Sequence, residues 1–431
     1  MDLKLTKAMK DFQWSFISLA IASLSHLLLR IVLGRELGPS GLGVYTLVFT
    51  IYIFGMQFAA FGIGAALTKY VAEFCDDLAK TKEYISSGIF GSIFAGTTMC
   101  LILFLLSGVI SVNVFKISEM ESLLKVTALC FPFIALNKAV LGTLNGFRSM
   151  KTFAILDISL NTAVFFTSVF CVLYFGMGVL GAILGFVIPT IVLGIISIFF
   201  IRSNIILKNN LLYYISSFRH ILYFGFYAVL GNSIGYIYAH VDSLMIGYYL
   251  NENGVGYYAV ATIFIQAIIL TPSAVQRVTN PAIAKNYAKN EYESILKLIK
   301  IVIVRVFLIS LLVSIFLVVF GKTFISIVFG DVFLPAYQPL MILLIGYTVY
   351  STFMSIGTFY ASTGYVNLSY KISLFSAILS ISLNVLFIPK YDIFGAAMAT
   401  SISLVIMTCV HFLLIRHFLN EVFVVENPVY L

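Results

Sequence analysis

The apolar residues of this chain fall in blocks of roughly 18 to 25, each long enough to cross about 30 Å of hydrocarbon as a helix. Blocks of that length fix the solvent before they fix the fold. The 431 residues are 61% hydrophobic and only 10% charged. A water-soluble domain carries about 25% charged residues, so this chain cannot cover a soluble surface. Spans are expected over 13–33, 44–66, 85–112, 123–145, 153–173, 179–201, 221–248, 256–274, 301–320, 340–361, 372–388 and 394–415. The expected fold is all-α and polytopic, with about twelve transmembrane helices. The longest polar connections, Arg202–His220 and Arg277–Lys300, leave no room for a sizeable soluble domain. Trp14 to Val32 is too long for the apolar core of a signal peptide and reads as the first span.

The distribution of basic residues orients the spans. With the N-terminus in the cytoplasm, Lys4, Lys7, Lys10, Lys69, Lys80, Lys82, Arg148, Lys151, Arg202, Lys208, Arg219, Arg277, Lys285, Lys289, Lys297, Lys300, Lys371 and Arg416 lie inside. Only Arg35, Lys116, Lys322 and Lys390 lie outside. Cytoplasmic loops carry the excess of Lys and Arg, so both termini are expected in the cytoplasm of a multi-pass cell-membrane protein. The net charge of +8 reflects this bias. Nucleic acid is not expected as a partner.

The two halves of the chain repeat. At an offset of 213, Gly34, Leu37, Gly41, Gly43 and Tyr45 match Gly247, Leu250, Gly254, Gly256 and Tyr258. At 214, Gly181-Ala182 matches Gly395-Ala396, and Val114-Phe115 matches Val328-Phe329. The glycines of the first match suit a tight outer turn with positive φ and close backbone approach. Six spans per half make the repeat parallel, about an axis along the membrane normal. The expected domains are an N-terminal six-helix lobe, 1–212, and a C-terminal six-helix lobe, 213–431, around a central cavity. Such a duplication suits alternating access.

Ionisable side chains inside spans are expensive and usually functional. Arg30 in the first span and Asp242 in the seventh occupy nearly equivalent repeat positions, since the offset puts Asp242 opposite Leu29. They are expected to face each other across the cleft and to pair or to bind substrate and ion. The alternative is snorkelling of Arg30 to the interface and a structural Asp242. Lys138, beside Asn137, is a second candidate for a cationic cavity, against interhelical hydrogen bonding. Secondary candidates are Asp157 and Asn161, one turn apart, with Asn232 and Arg305. For Asp157 and Arg305 the competing reading is interfacial anchoring; for Asn232, Gln266 and Asn384 it is interhelical hydrogen bonding. Tyr227, Tyr236 and Tyr238 are candidates for an aromatic cleft or simple anchors. The GxxxG pairs Gly142/Gly146, Gly181/Gly185 and Gly231/Gly235 indicate close helix packing.

No catalytic or metal constellation is expected. Gly321-Lys322-Thr323 has Phe316 where a phosphate-binding loop needs its first glycine. The five cysteines are scattered, and the five histidines form no HExxH pair. His26, one turn before Arg30, reads as a helix-packing histidine. No cofactor is expected.

Three segments resemble a known family. Leu33 to Tyr45, Asp242 to Gly247 followed by Val255 to Ala261, and Leu383 to Tyr391 with Gly395-Ala396-Ala397 are similar to segments of polysaccharide-export and oligosaccharide-lipid flippases. Those flippases belong to the multidrug/oligosaccharidyl-lipid/polysaccharide (MOP) superfamily, and the resemblance covers essentially the whole chain. It implies two six-helix lobes around a central cavity. It also implies translocation of a polyprenyl-diphosphate-linked oligosaccharide for cell-surface glycan assembly, beside the enzymes of that assembly. Arg30 and Lys138 would meet the diphosphate. Asp242 would be the carboxylate linked to a sodium or proton gradient. Relatives that move lipid II tend to have extra helices, so an oligosaccharide lipid is favoured over a peptidoglycan precursor. The alternatives are a cation-coupled multidrug exporter of the same superfamily and, from another class, a membrane glycan polymerase or lipid-linked glycosyltransferase. The first depends on acidic residues in the spans, which are few here. The second needs a large outer loop, and 321–339 looks like a short amphipathic segment.

Overall fold

Helices in this chain run until a residue that cannot continue them. The structure is a computed structural model that describes residues 2–206, 212–357 and 359–426, with the side chains of all these except 2–6, 8, 212–216, 232, 361, 366 and 419–426. The described residues form helices and turns only, and the helices are α1 (Asp2–Ala60), α2 (Ile63–Glu73), α3 (Leu78–Gly108), α4 (Met120–Ala128), α5 (Phe131–Gly146), α6 (Met150–Val169), α7 (Gly178–Ser197), α8 (Leu212–Tyr249), α9 (Glu252–Ala288), α10 (Tyr292–Phe329), α11 (Tyr337–Met354), α12 (Phe359–Ser362) and α13 (Val366–Glu426). π-Helical turns extend α3 to Val114 and α6 to Tyr174.

Among the described residues, eight helical stretches are long and apolar enough to cross a membrane, and two bent pairs add a span each when each pair is taken as one. Those pairs are Met120–Ala128 with Phe131–Gly146, bent by 43°, and Ser217–Gly231 with Ser233–Tyr249, bent by 41°. Two of the eight, Met9–Glu73 with 65 residues and Asn367–Phe418 with 52, are far longer than the roughly 20 residues a span needs. Each is divided into two arms by a non-helical residue, Gly38 (φ 66°) and Asp392 (φ 53°), and the first bends again at Phe61-Gly62 within its second arm. Pro39 directly follows Gly38; its fixed φ suits the first turn of the helix that resumes there. Counting each arm separately gives twelve crossings.

Three expectations change in detail. The second span does not run unbroken over 44–66, because the chain leaves the helix at Phe61 (φ 41°) and Gly62 (φ 66°) and resumes as α2. The polar stretch Arg277–Lys300 is not a loop. Both arms are helical, and the turn occupies 289–291. The glycines matched between the halves do not supply the positive φ of the outer turns. In the first half that falls on Gly38, while in the second Asn251 caps α9 through its Oδ1, 3.0 Å from the Gly254 N–H.

The chain divides into two compact units, Met1–Tyr236 and Ile237–Leu431, with the division inside α8. In the first, α1 packs on α6, and α2 and α3 pack on α5. The α2–α5 crossing is so tight that a Cβ on Gly142 would stand 2.1 Å from the Gly64 carbonyl oxygen. Thr68 Oγ1 donates to the carbonyls of Gly64 and Gly142, both at 3.0 Å. Ile63, Leu67, Val71, Ile85, Leu136, Val140 and Leu144 fill the core around this crossing. In the second unit α11 packs on α13 and α9, with Gly346 against the Ser401 backbone and a core around Ile283, Ile295, Ile356 and Met407.

Gly181 and Gly395, matched by the repeat, do the same job in each unit. A Cβ on either would meet a backbone carbonyl of the preceding span, Cys171 at 3.0 Å and Phe387 at 2.2 Å. Gly142/Gly146 and Gly181/Gly185 are therefore packing pairs. Gly231/Gly235 is not, since neither has an atom within 4 Å of an added Cβ.

The outside of the helices is apolar. On α10, Val304, Leu308, Leu312, Ile315 and Val319 are all more than half exposed. Several hydroxyls in the spans are satisfied by their own helix: Thr46, Ser92, Thr127, Thr143 and Thr190 each donate to a carbonyl four residues back. Helices that close their backbone bonds internally while exposing aliphatic side chains suit lipid as the solvent.

Candidate ion and substrate site

The second unit holds a buried carboxylate with a full set of donors. Asp242 lies on α8 and is 7% exposed. Its Oδ2 accepts from the Tyr258 hydroxyl of α9 at 2.7 Å and from Thr400 Oγ1 of α13 at 2.6 Å. Its Oδ1 accepts from Asn384 Nδ2, on the other arm of α13, at 2.8 Å. Asn384 also donates to the Ser380 carbonyl at 3.0 Å, which fixes its amide. That leaves Asn384 Oδ1 buried with no hydrogen-bond partner. Further hydroxyls surround the cluster: Tyr347 stands beside Asp242, and the Tyr238 and Ser403 hydroxyl oxygens are buried without a partner.

The donor set is one carboxylate and several neutral oxygens. Such oxygens fit a hard monovalent cation or a proton; divalent sites generally collect more carboxylates. Among the described residues no three His, Cys, Asp or Glu side chains gather as a metal site. Asn384, whose amide nitrogen bonds the Asp242 carboxylate, keeps an unsatisfied Oδ1 that would serve as a further ligand.

Two cations of the first unit stand outside the ion pairs given for it. Ion pairs among the described residues join Lys80 to Asp77, Lys125 to Glu121, Arg148 to Asp11, Lys289 to Glu291 and Lys297 to Glu293. Arg30 and Lys138 enter none of them. Arg30 is partly buried beside Tyr45 and His26, at the margin of an aromatic cluster. In that cluster Tyr45 stacks on Phe49 at 5.6 Å, and Tyr52 meets Phe186 at 5.0 Å. Lys138 is partly buried on α5, with its carbonyl against Gly64; Asn137 beside it is buried with Oδ1 unpartnered.

The secondary candidates fall into distinct settings. Asp157 Oδ2 accepts from Ser18 Oγ at 2.5 Å, which ties α6 to α1. Asn161 Nδ2 donates to the Asp157 carbonyl at 2.8 Å and faces His26. Ser18, Asp157, Asn161, His26 and Arg30 thus share the α1–α6 contact. Arg305 is exposed on α10, next to the exposed Val304. The Asn232 side chain lies outside the described residues. Tyr227 is exposed, whereas the Tyr238 hydroxyl is buried.

The repeat explains the site better than single residues do. Tyr45 and Tyr258 are repeat partners, and each stands beside the charge of its own unit, Arg30 in the first and Asp242 in the second. At the offset of 214 Phe186 is the counterpart of Thr400. Phe186 meets the Tyr45 ring at 6.5 Å, while the Thr400 hydroxyl is 3.3 Å from that of Tyr258. One framework therefore carries a tyrosine near a cation in one unit and a tyrosine bonded to a carboxylate in the other. Thr400 has no sequence signal beyond being polar in a span. Tyr258 is readable from its repeat position, and Asn384 is readable only as a polar residue in a span, a ligand or interhelical glue equally.

A repeated all-helical membrane architecture with buried charges defines a multi-span membrane protein of the transporter type, and comparisons agree. The fold matches an inward-closed lipid II flippase with a TM-score of 0.75 at 18% identity, over 93% of this chain and 86% of the other. It matches an inward-facing multidrug resistance transporter of the MOP superfamily with a TM-score of 0.71 at 16% identity, over 94% and 98%. The sequence profile described as polysaccharide biosynthesis protein matches residues 8–287, and that of the MatE family matches 228–386. The chain belongs to the polysaccharide biosynthesis protein family. A relative from Shigella flexneri, named for O-antigen transport, is 23% identical over 410 residues, covering 92% of this chain and 95% of its own length.

Proposed function

We propose that this chain moves a polyprenyl-diphosphate-linked oligosaccharide across the cell membrane by alternating access, with the spans of 1–212 and 213–431 as its two lobes. The observation that carries the reading is family membership over residues 8–287. Arg30 and Lys138 support it, because unneutralised cations within spans call for an anionic ligand. A lipid diphosphate supplies that charge while its tail stays in the bilayer. Both termini are cytoplasmic in this reading, and the role is transport without catalysis, beside glycan-assembly enzymes. Asp242, with Tyr258, Asn384 and Thr400, binds the coupling cation, Na+ or H+.

The test is reconstitution in liposomes with fluorescent lipid-linked oligosaccharide, reading outer-leaflet accessibility under imposed Na+ and H+ gradients. The lipid becomes accessible faster than in protein-free liposomes, and Arg30→Ala and Lys138→Ala slow it. Cargo that stays put, with expulsion of organic cations by the same liposomes, overturns the reading. That second outcome is the exporter alternative, favoured by the MatE match over the segment that holds Asp242.

A further inference from the structure

An apolar groove in the first unit, apart from the charged residues above, is built like a binding site. It has a volume of about 340 Å³ and is lined chiefly by Phe58 and Phe61, by Phe94 and Thr98 of α3, and by Phe218 and Leu222 of α8. Phe94 lies nine residues into the expected span 85–112, about 14 Å along its axis at 1.5 Å per residue. The groove thus runs from one end of that span towards its middle.

Three observations separate it from ordinary lipid-facing surface. The first is strain. Phe61 has φ 41°, a region that a bulky side chain normally avoids, and its ring lines the groove. Such backbone outliers concentrate where a side chain is held for a purpose. The second is the brace that holds it. A Cβ on Gly225 would stand 2.2 Å from the Phe61 carbonyl oxygen, and one on Gly62 would stand 2.5 Å from that of Gly225. The helix break is thus clamped against α8 at backbone distance.

The third is charge. Arg219 follows Phe218 on α8, is exposed, and has no carboxylate within 4.0 Å among the described residues. Glu83, the acidic residue of α3 nearest to it in sequence register, is hydrogen-bonded by Ser217 instead. α8 therefore offers a cation next to a residue that lines the aromatic groove. An amphiphile with an anionic head and a branched hydrocarbon tail complements both. Four phenyl rings give the methyl branches of an isoprenoid flat faces to pack on, and dispersion adds up over many such contacts.

We infer that this groove binds the isoprenoid chain of a polyprenyl diphosphate lipid, with Arg219 at its head. The inference rests on the proposed cargo class and assigns the tail a place of its own. The groove holds the segment nearest the headgroup, and the rest of the tail lies in the bilayer.

The test uses the full chain in phosphatidylcholine nanodiscs with a polyprenyl diphosphate carrying a diazirine near its head. Photolysis labels the peptides holding Phe94–Ile102 and Phe218–Leu222. Unlabelled polyprenyl diphosphate abolishes the labelling, whereas excess dioleoylphosphatidylglycerol or inorganic diphosphate does not. Thr98→Trp, which fills the groove from an exposed position, lowers labelling about tenfold, the size of a single modest contact change. Phe94→Ala lowers it too, and Arg219→Glu weakens apparent affinity without moving the labelled positions. Labelling elsewhere, or equal competition by phosphatidylglycerol, overturns the inference and leaves the groove as annular lipid surface. Transport of lipid-linked oligosaccharide with an unlabelled groove removes the groove alone. A labelled groove in a protein that does not transport removes the cargo alone.

Discussion

At the scale of single residues, Asp242 separates a structural role from a functional one. Its side chain accepts three hydrogen bonds, from Tyr258, Thr400 and Asn384. Hydrogen bonds between membrane helices are worth about 0.6 kcal/mol each on average, so losing all three costs about 2 kcal/mol of stability. Asp242→Asn keeps the shape and part of the bonding, and it should lower unfolding stability in detergent by less than that while abolishing gradient-driven transport. Tyr258→Phe and Thr400→Val should each cost about 0.6 kcal/mol. Their double variant should deviate from additivity, since both hydroxyls meet the same oxygen. A purely structural Asp242 predicts transport that falls only as far as the folded fraction does. The charge itself was legible in the sequence, because an aspartate inside an apolar block stands out. Its partners were not, since serine, threonine and asparagine are common in spans and mostly bond to their own helix, as Thr46 and Thr143 do here.

At the scale of elements, glycines decide where helices touch. Gly142→Leu forces a side chain against the Gly64 backbone, which cannot retreat as a flexible side chain would. It should destabilise by about 1–3 kcal/mol or more, as overpacking does. Gly235→Leu has open space around it and should leave stability unchanged within about 0.5 kcal/mol. Thermal or denaturant unfolding of the two purified variants makes the comparison, and equal effects would remove the packing argument. Both glycines belong to GxxxG pairs, and the sequence alone cannot rank them because the motif records spacing and not the facing helix. The twelve spans were readable from block length, and an outer turn from the glycines of 34–43, though its positive φ falls on Gly38 and not on the matched glycines. The break at Phe61-Gly62 was not, since Phe-Gly inside an apolar run is unremarkable until α8 is seen pressed on it.

At the scale of the whole molecule, topology is the testable quantity. Cytoplasmic termini place the turn at 289–291 inside and Lys116 and Lys322 outside. In a cysteine-free background, Lys289→Cys should react with a membrane-impermeant maleimide only in inverted vesicles, and Lys322→Cys only in intact cells. The opposite pattern would invert the orientation. Native Cys75 and Cys409 are exposed and must be replaced first.

The hairpin of α9 and α10 reaches farther than a bilayer requires. The two helices have 37 and 38 residues, about 55 Å each at 1.5 Å per residue, against about 30 Å of hydrocarbon. On the side of the 289–291 turn the excess is charged at its tip, with Lys285, Lys289, Glu291, Glu293 and Lys297, and apolar beneath, where Ile283, Tyr292 and Ile295 pack with Ile356, Phe359 and Ile415 in the core of the second unit. The overhang is therefore bolted to the body of its unit, and a spin label at Lys289 would report the movement of that body at a position where no transported molecule has to pass.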